Sequence, residues 1–172
     1  MASNKLALAP SAALTITLNS LAAQSARASV FVDNATTLYL DVHVSIKFTL
    51  ATPARVGDHG AVNVYAYGSE DGSTYGPSGG PNAKEAIDGT DKAIVVNFSP
   101  APSTLWGVRI GVIHIQTGAA GVAYVSPPLG VAQAFGGTLP RRWGIVVENR
   151  SGIAFASSGC RASYSGIFST TG

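Results

Sequence analysis

The sequence contains a single cysteine, Cys160. One thiol cannot close an internal disulfide, and it cannot supply the Cys pairs or Cys/His clusters of a structural zinc site. The 172-residue chain needs neither a disulfide nor a zinc site, because a domain of this size buries about two-thirds of the surface that its unfolded form exposes. We therefore expect residues 1–172 to form one domain that is stabilised by packing, without a cofactor or metal.

Charged side chains are also scarce. Asp, Glu, Lys and Arg make up 12% of the chain, whereas a globular domain typically carries about 25%. The net charge is +2, and the basic residues are scattered apart from the adjacent Arg141 and Arg142. The sequence thus lacks the basic stripe of a nucleic-acid-binding protein. A surface of Gly, Ser, Thr, Ala and Asn is typical of a subunit whose faces are covered in an assembly.

Motifs of catalysis, metal binding and membrane insertion are missing as well. The chain has no H-x-H or H-E-x-x-H pattern and no phosphate-binding glycine loop. Its one G-x-S-x-G match, residues 76–80 (GPSGG), falls in the turn-rich segment 68–91 rather than between a predicted strand and a helix, and no run approaches the roughly 18 apolar residues of a membrane helix. Two alternatives stay open: two carboxylates meeting in a cleft, and calcium binding if Glu70, Asp71, Asp88 and Asp91 fold together. We expect a protein that is not an enzyme and has no nucleic-acid or membrane partner.

The clearest positive signal is an alternation of apolar and polar residues over residues 38–50. Successive side chains of a β-strand point to opposite faces, so this pattern predicts one long strand with an apolar side and a polar side. The apolar side comprises Leu38, Leu40, Val42, Val44, Ile46, Phe48 and Leu50. The polar side carries Tyr39, His43 and Lys47, and the low charge of the chain favours a partner subunit, rather than water, against it.

Shorter strand signals occupy most of the remaining sequence. They lie at residues 14–18, 30–32, 62–67, 93–98, 105–115, 122–125, 143–148, 153–156 and 164–168, separated by Gly, Pro, Asn and Ser. This spacing predicts an all-β fold, an antiparallel β-sandwich of the jelly-roll type with about eight to ten strands. Residues 1–13 are predicted to form an N-terminal extension. The polar segment 68–91 is longer than most loops of compact domains and is predicted to be a contact arm.

Aromatic residues and arginines are the best candidates for contact with a partner, because Trp, Tyr and Arg dominate interface hot spots. The candidates are Tyr65, Tyr67, Tyr75, Trp106, Arg141, Arg142 and Trp143. For the two tryptophans, a place in the sandwich core is the alternative.

Three segments carry a family resemblance: residues 14–21 (LTITLNSL), 62–75 (VNVYAYGSEDGSTY) and 139–149 (LPRRWGIVVEN). Together they resemble small virion proteins of tailed bacteriophages that cement or decorate an icosahedral capsid. The resemblance implies a β-sandwich or jelly roll on the capsid exterior, often a homotrimer, that binds across neighbouring subunits of the major capsid protein. It transfers no functional residue, because the matching segments are strands and turns.

The resemblance leads to two functional expectations. The first is a homotrimeric cement protein whose N-terminal segment and 68–91 loop clamp neighbouring capsid subunits. The second is a tail-fibre or receptor-type sandwich that binds host-surface glycans through loop aromatics such as Tyr75 and Trp106.

Overall fold

The computed structural model describes residues 4–54, 60–73, 75, 87–94, 107–116 and 121–171. This part of the chain forms β-strands and one 3-10 helix, Ala132–Phe135. The strands are β1 (Asn4–Leu8), β2 (Ala12–Leu14), β3 (Ser25–Ala28), β4 (Val32–Asp33), β5 (Asp41–Thr49), β6 (Ala61–Ser69), β7 (Lys92–Ile94), β8 (Val108–His114), β9 (Ala123–Val125), β10 (Leu129–Gly130), β11 (Arg142–Asn149) and β12 (Arg161–Thr171).

The strands form two antiparallel sheets that pack face to face, which confirms the prediction of an all-β sandwich. In sheet A, β12 lies beside β5; β1 and β2 follow one another along the other edge of β12, and β9 and β10 lie along the other edge of β5. In sheet B, β11 is central, with β6 and then β8 on one side. On its other side lie β3, β4 and, beyond β3, β7.

The core lies between the two sheets and follows the alternation in β5. Four apolar residues of this strand have no exposed surface: Val42, Val44, Ile46 and Phe48. They belong to one cluster with inward-pointing side chains of β6 and β11, including Val62, Val64, Ile145 and Val147. The ring of Phe48 stacks on that of Phe155 at 4.5 Å between centroids. Each such buried side chain stabilises the fold by about 1.5–3 kcal/mol.

The predicted long strand over residues 38–50 is too long at its start, because the chain turns before Asp41. The side chain of Asn34 accepts a hydrogen bond from the Tyr39 amide at 2.9 Å and donates one to the Tyr39 carbonyl at 3.1 Å. Leu38 adopts a left-handed conformation, with φ +51°. As a result Leu38 and Leu40 are 69% and 50% exposed, while Tyr39 packs against the core. At residues 38–40 the exposed and the inward-facing positions are therefore the opposite of those predicted from the alternation.

The predicted N-terminal extension and the polar segment are both joined to the sandwich. Residues 4–8 and 12–14 form β1 and β2, which pair with β12. Strand β6 continues to Ser69, into the segment predicted as an arm. In that segment the structure describes residues 70–73, 75 and 87–91, and Tyr75 and Ile87 are buried there.

Within the described residues, apolar clusters cover both faces of sheet B but only one face of sheet A. A second apolar cluster lies on the outer side of sheet B and consists of Ala26, Ala28, Tyr65, Tyr67, Tyr75, Ile87, Ile94 and Val146. Every residue of β6 and β11 except the first of each strand is consequently buried. In β5, by contrast, buried and half-buried residues alternate along the whole strand. The outer face of sheet A is therefore the face that carries no apolar cluster in the described part of the chain.

Candidate interaction surfaces

The structure places most of the predicted contact residues in the interior. Tyr65, Tyr67, Tyr75 and Trp143 are 5%, 0%, 6% and 0% exposed, Arg142 is half-buried and Arg141 is exposed. Trp106 lies outside the described residues. For the four buried side chains the prediction of a partner contact is wrong, because the protein itself covers their area. Trp143 instead fills the core, where its ring meets that of Tyr164 edge to face at 5.3 Å.

Two of the predicted tyrosines meet on the outer side of sheet B. The ring of Tyr75 lies edge-on to that of Tyr67 at 5.7 Å and stacks with Phe31 at 6.2 Å. The hydroxyl of Tyr67 donates to the carbonyl of Ser29 at 2.6 Å, and burial raises the pKa of this hydroxyl above its usual value. Tyr75 thus anchors the segment after β6 to the sheet.

Arg142 holds the same segment by its guanidinium group. This group lies 4.4 Å above the ring of Phe31, donates to the carbonyl of Gly72 and approaches the carboxylate of Asp33 at 3.5 Å. Hydrogen bonding to Tyr75 raises the pKa of Arg142. The pKa of Asp33 is lowered, mainly by the backbone N–H of Ala35 and further by Arg142. Arg142 therefore acts within the protein and is not free for a partner.

Glu148 is a buried carboxylate that the sequence analysis missed. It is 2% exposed and accepts hydrogen bonds from Asn63 at 2.8 Å and Tyr65 at 3.0 Å, and it pairs with Arg150 at 2.8 Å. Burial, followed by the negative charge of Glu148, raises the pKa of Tyr65 to about 12. The one available signal was Asn63, a polar residue within an apolar strand. Because its oxygens are engaged by neighbouring side chains, we interpret Glu148 as a structural group.

The acidic residues considered for calcium binding have separate partners. Asp71 accepts from Ser69 and from the Ser73 amide. Asp88 binds Lys92 and Thr90, which together lower its pKa to about 2. No group of three or more His, Cys, Asp or Glu side chains gathers within the described residues.

Asp91 has partners that differ from those of the other acids. It binds Arg27 at 2.6 Å and the Thr17 hydroxyl. Burial raises its pKa, but the bonds to Arg27 and Thr17 outweigh that effect, so that the pKa is lowered overall. Calcium binding by this set of acids finds no support.

The outer face of sheet A, here called the open face, presents short and mostly uncharged side chains. It comprises Asp41, His43, Ser45, Lys47 and Thr49 of β5 and Arg161, Ser163, Ser165, Ile167 and Ser169 of β12, as set by the register of the two strands. His43 and Lys47 lie on this face as the alternation predicted. Tyr39 does not, since its ring packs against the core.

The open face carries one uncompensated pair of cations. Lys47 and Arg161 are directly opposite one another in neighbouring strands. Like charges in this position destabilise a sheet, and neither side chain has an acidic partner within the described part of the chain. The pair is therefore suited to an acidic group that comes from outside the chain.

Exposed apolar side chains lie at both ends of the open face. Leu6 and Leu8 of β1 are 72% and 61% exposed, and Leu8 is paired with Ile167. At the opposite end, Val125 is 61% exposed and pairs with Lys47. The open face thus combines a flat polar centre with apolar ends.

A groove of about 420 Å³ with both apolar and polar side chains in its lining lies beside β3 and β7. Its polar lining is Thr17, Asn19, Ser20, Gln24, Ser25 and Arg27. Ser20 and Gln24 both adopt left-handed backbone conformations, with φ 58°. Such conformations are uncommon for residues other than Gly, Asn and Asp, and they concentrate at ligand sites.

Comparisons with family models, with curated proteins and with solved structures give no match. Among the described residues, no helix is long and apolar enough to cross a membrane.

Proposed function

We propose that the protein is a capsid cement or decoration protein of a tailed bacteriophage, which binds across neighbouring major capsid subunits on the outside of the shell. The observation that carries the proposal is the contrast between the two sheets: within the described residues, an apolar cluster covers the outer side of sheet B, and no such cluster lies over the open face of sheet A. The resemblance of residues 14–21, 62–75 and 139–149 to such virion proteins supports it.

The open face is suited to a broad and flat partner. Ser45, Ser163 and Ser165 have short side chains, so a second surface can approach the sheet closely along its length. A stable contact needs about 800 Å² from each partner, so the partner would have to cover the apolar ends as well as the polar centre of the face. The serine and threonine side chains of the face carry no charge, so removing water from them costs less than removing it from ions.

The cation pair would orient the protein on the surface of its partner. Lys47 and Arg161 would face acidic side chains on the capsid subunit, which compensates a repulsion that the free protein bears. Binding is then expected to weaken as the salt concentration rises, because part of this interaction is screened.

Rebinding to stripped phage particles tests the proposal. Particles that lack the protein should bind it in numbers close to those of the major capsid protein and become more resistant to heat or pressure. Ser163→Arg, which introduces a long charged side chain in the middle of the open face, should weaken this binding at least about tenfold.

The matched control is Ser158→Arg, a substitution of an exposed serine in the turn before β12, which should bind like the unmodified protein. Absence of binding to the shell would overturn the proposal, and equal loss in both variants would overturn the assignment of the open face. Sedimentation analysis of the free protein tests whether it is the homotrimer that the resemblance implies.

The groove beside β3 and β7 favours one second candidate, a tail-fibre or receptor-type sandwich that binds host-surface glycans. Hydroxyl and amide side chains at Ser20, Gln24 and Ser25 can exchange hydrogen bonds with sugar hydroxyls. Tyr75 cannot supply the aromatic contact expected from the sequence, since it is buried.

Binding of the isolated protein to lipopolysaccharide of the host tests this candidate. Gln24→Ala should weaken binding, whereas Gln133→Ala, which replaces an exposed glutamine of the 3-10 helix, should leave it unchanged. Failure to bind glycans or host cells, together with binding to the shell, would rule out this alternative.

A further inference from the structure

Strand β1 is an edge strand that pairs on one side only. Its five residues pair with β12, and among the described residues no other strand lies along its second edge. Leu6 and Leu8 on this strand are mostly exposed. An exposed edge with apolar side chains is a site at which another strand can add to the sheet.

The hydrogen-bond pattern shows which residues of β1 are available. The Ala9 amide donates to the Gly166 carbonyl at 2.8 Å, and the register places Leu8 opposite Ile167. In an antiparallel pair, alternate residues direct both backbone groups to the same neighbour. Since Ala9 bonds to β12, so do Lys5 and Ala7. The N–H and C=O groups of Asn4, Leu6 and Leu8 therefore point to the free edge.

We propose that this edge pairs with β1 of a second copy of the chain, antiparallel and centred on Leu6. Leu6 would then face Leu6 of the other copy, and Asn4 would face Leu8. Each of these facing pairs can exchange two backbone hydrogen bonds, because all three residues direct their backbone groups outward. The two copies would be related by a two-fold axis perpendicular to the sheet.

The side chains of β1 are self-complementary in this register. On the outer side, the Leu6 side chains of both copies meet and cover apolar area that is 72% exposed in one copy. On the inner side, Lys5 would lie opposite Ala7 of the other copy, so the two lysines do not face one another. A two-fold axis through Leu6 thus pairs the outward backbone groups, covers the two Leu6 side chains and keeps the two lysines apart.

The arrangement would also place the open faces of both copies on the same side of one continuous sheet. The two-fold dimer differs from the homotrimer that the resemblance implies; it is compatible with binding to a shell but is not needed for it, because β1 pairing follows from the strand edge alone. Free protein in solution is therefore sufficient for the test, and the result is independent of binding to the capsid.

Disulfide trapping of the full chain tests the register. In a Cys160→Ala background, Leu6→Cys should form a disulfide-linked dimer under mild oxidation, because facing residues have Cα atoms about 5.5 Å apart. Leu8→Cys should not, since its two copies would lie roughly 13 Å apart along the strands. Leu38→Cys, with a comparably exposed leucine, is the control for chance collision. Equal dimer yields from the three variants, or none from Leu6→Cys, would overturn the proposal.

Sedimentation equilibrium of variants without added cysteine provides a second test. Leu6→Lys places two cations at the centre of the pairing and should raise the dimer dissociation constant at least about tenfold. Leu38→Lys should leave it unchanged. Circular dichroism of both variants verifies the fold, since Leu6 belongs to neither buried cluster. A protein that stays monomeric over the whole concentration range, or a self-association that Leu6→Lys leaves intact, would contradict the inference.

Discussion

Lys47 and Arg161 lie directly opposite each other on the open face of sheet A, with no acidic partner in the described part of the protein. The chain keeps this pair although it is unfavourable in the free molecule. Under the proposed function, an acidic group on the capsid subunit would compensate this repulsion.

Lys47→Gln is expected to separate stability from binding. The free energy of unfolding should stay the same or rise by up to about 1 kcal/mol, because the repulsion with Arg161 is removed. Binding to capsid particles should weaken. Lys92→Gln is the control, since Lys92 lies in sheet B and is paired with Asp88 at 2.8 Å. Chemical unfolding and particle binding measure the two effects, and a Lys47→Gln variant with unchanged binding would contradict a role in contact.

Glu148→Ala is expected to lower the free energy of unfolding by about 3 kcal/mol. The substitution leaves the buried donors of Asn63 and Tyr65 without an acceptor and removes the partner of Arg150. Glu70→Ala, at an exposed position, should change stability by less than about 0.5 kcal/mol. Urea unfolding of both variants measures the difference; similar small effects would show that the buried network contributes little.

Arg142→Lys tests the anchor of the segment after β6. Lysine keeps the charge but lacks the planar group that covers Phe31 and reaches both Gly72 and Asp33. The melting temperature should fall, because the contact with Phe31 and the hydrogen bond to Gly72 are weakened. The adjacent and exposed Arg141→Lys should be neutral within about 0.5 kcal/mol. Thermal unfolding distinguishes them, and equal melting temperatures would refute the anchoring role.

Gly166→Ala tests the contact between the ring of Tyr39 and position 166 of β12. A Cβ atom at position 166 would overlap the ring of Tyr39, so the substitution should destabilise the protein by about 1–3 kcal/mol. Gly130→Ala in the same sheet is the control, because its Cβ would meet only the Asp41 carboxylate at 3.4 Å. Combining Gly166→Ala with Tyr39→Ala should cost less than the sum of the single effects. Strict additivity in this double-mutant cycle would contradict a direct contact.

The raised pKa of Tyr65 predicts that the protein loses stability at high pH. The pKa of the Tyr65 hydroxyl is about 12 in the folded protein, whereas the ordinary value for tyrosine is 10.0. The folded protein therefore favours the protonated hydroxyl. This contribution is fully present below pH 10 and is lost as the pH rises from 10 towards 12. Tyr65→Phe should show a flatter pH dependence over this range. Unfolding measured in urea at pH 9 and 11 checks the prediction, and identical slopes for both proteins would contradict it.

Local patterns predicted the all-β class and the inward side of β5 correctly. Val42 to Phe48 alternate with polar residues in a strand that is covered on one face, and in that case the period of two is a direct signal. The same signal failed at Tyr39, because a single side chain, Asn34, reorganised the chain by two hydrogen bonds. Interactions of this kind depend on geometry that the periodicity of residues does not contain.

The candidate contact residues were predicted less well. Tyr and Trp are enriched both in interfaces and in cores, so residue type alone could not separate Trp143 in the core from a residue on the surface. Tyr67 and Tyr75 are buried because a segment distant in sequence returns over sheet B. Which side of a sheet is covered depends on contacts between distant parts of the chain.

Residue types and their order were thus sufficient for the absence of disulfides, the low charge, the strand content and the core side of β5, since each of these depends on composition or on neighbours in sequence. The facing positions of Lys47 and Arg161, the enclosure of Glu148 and the free edge of β1 depend on strand pairing. They became visible only in the folded molecule, because pairing brings together residues that are far apart in the chain.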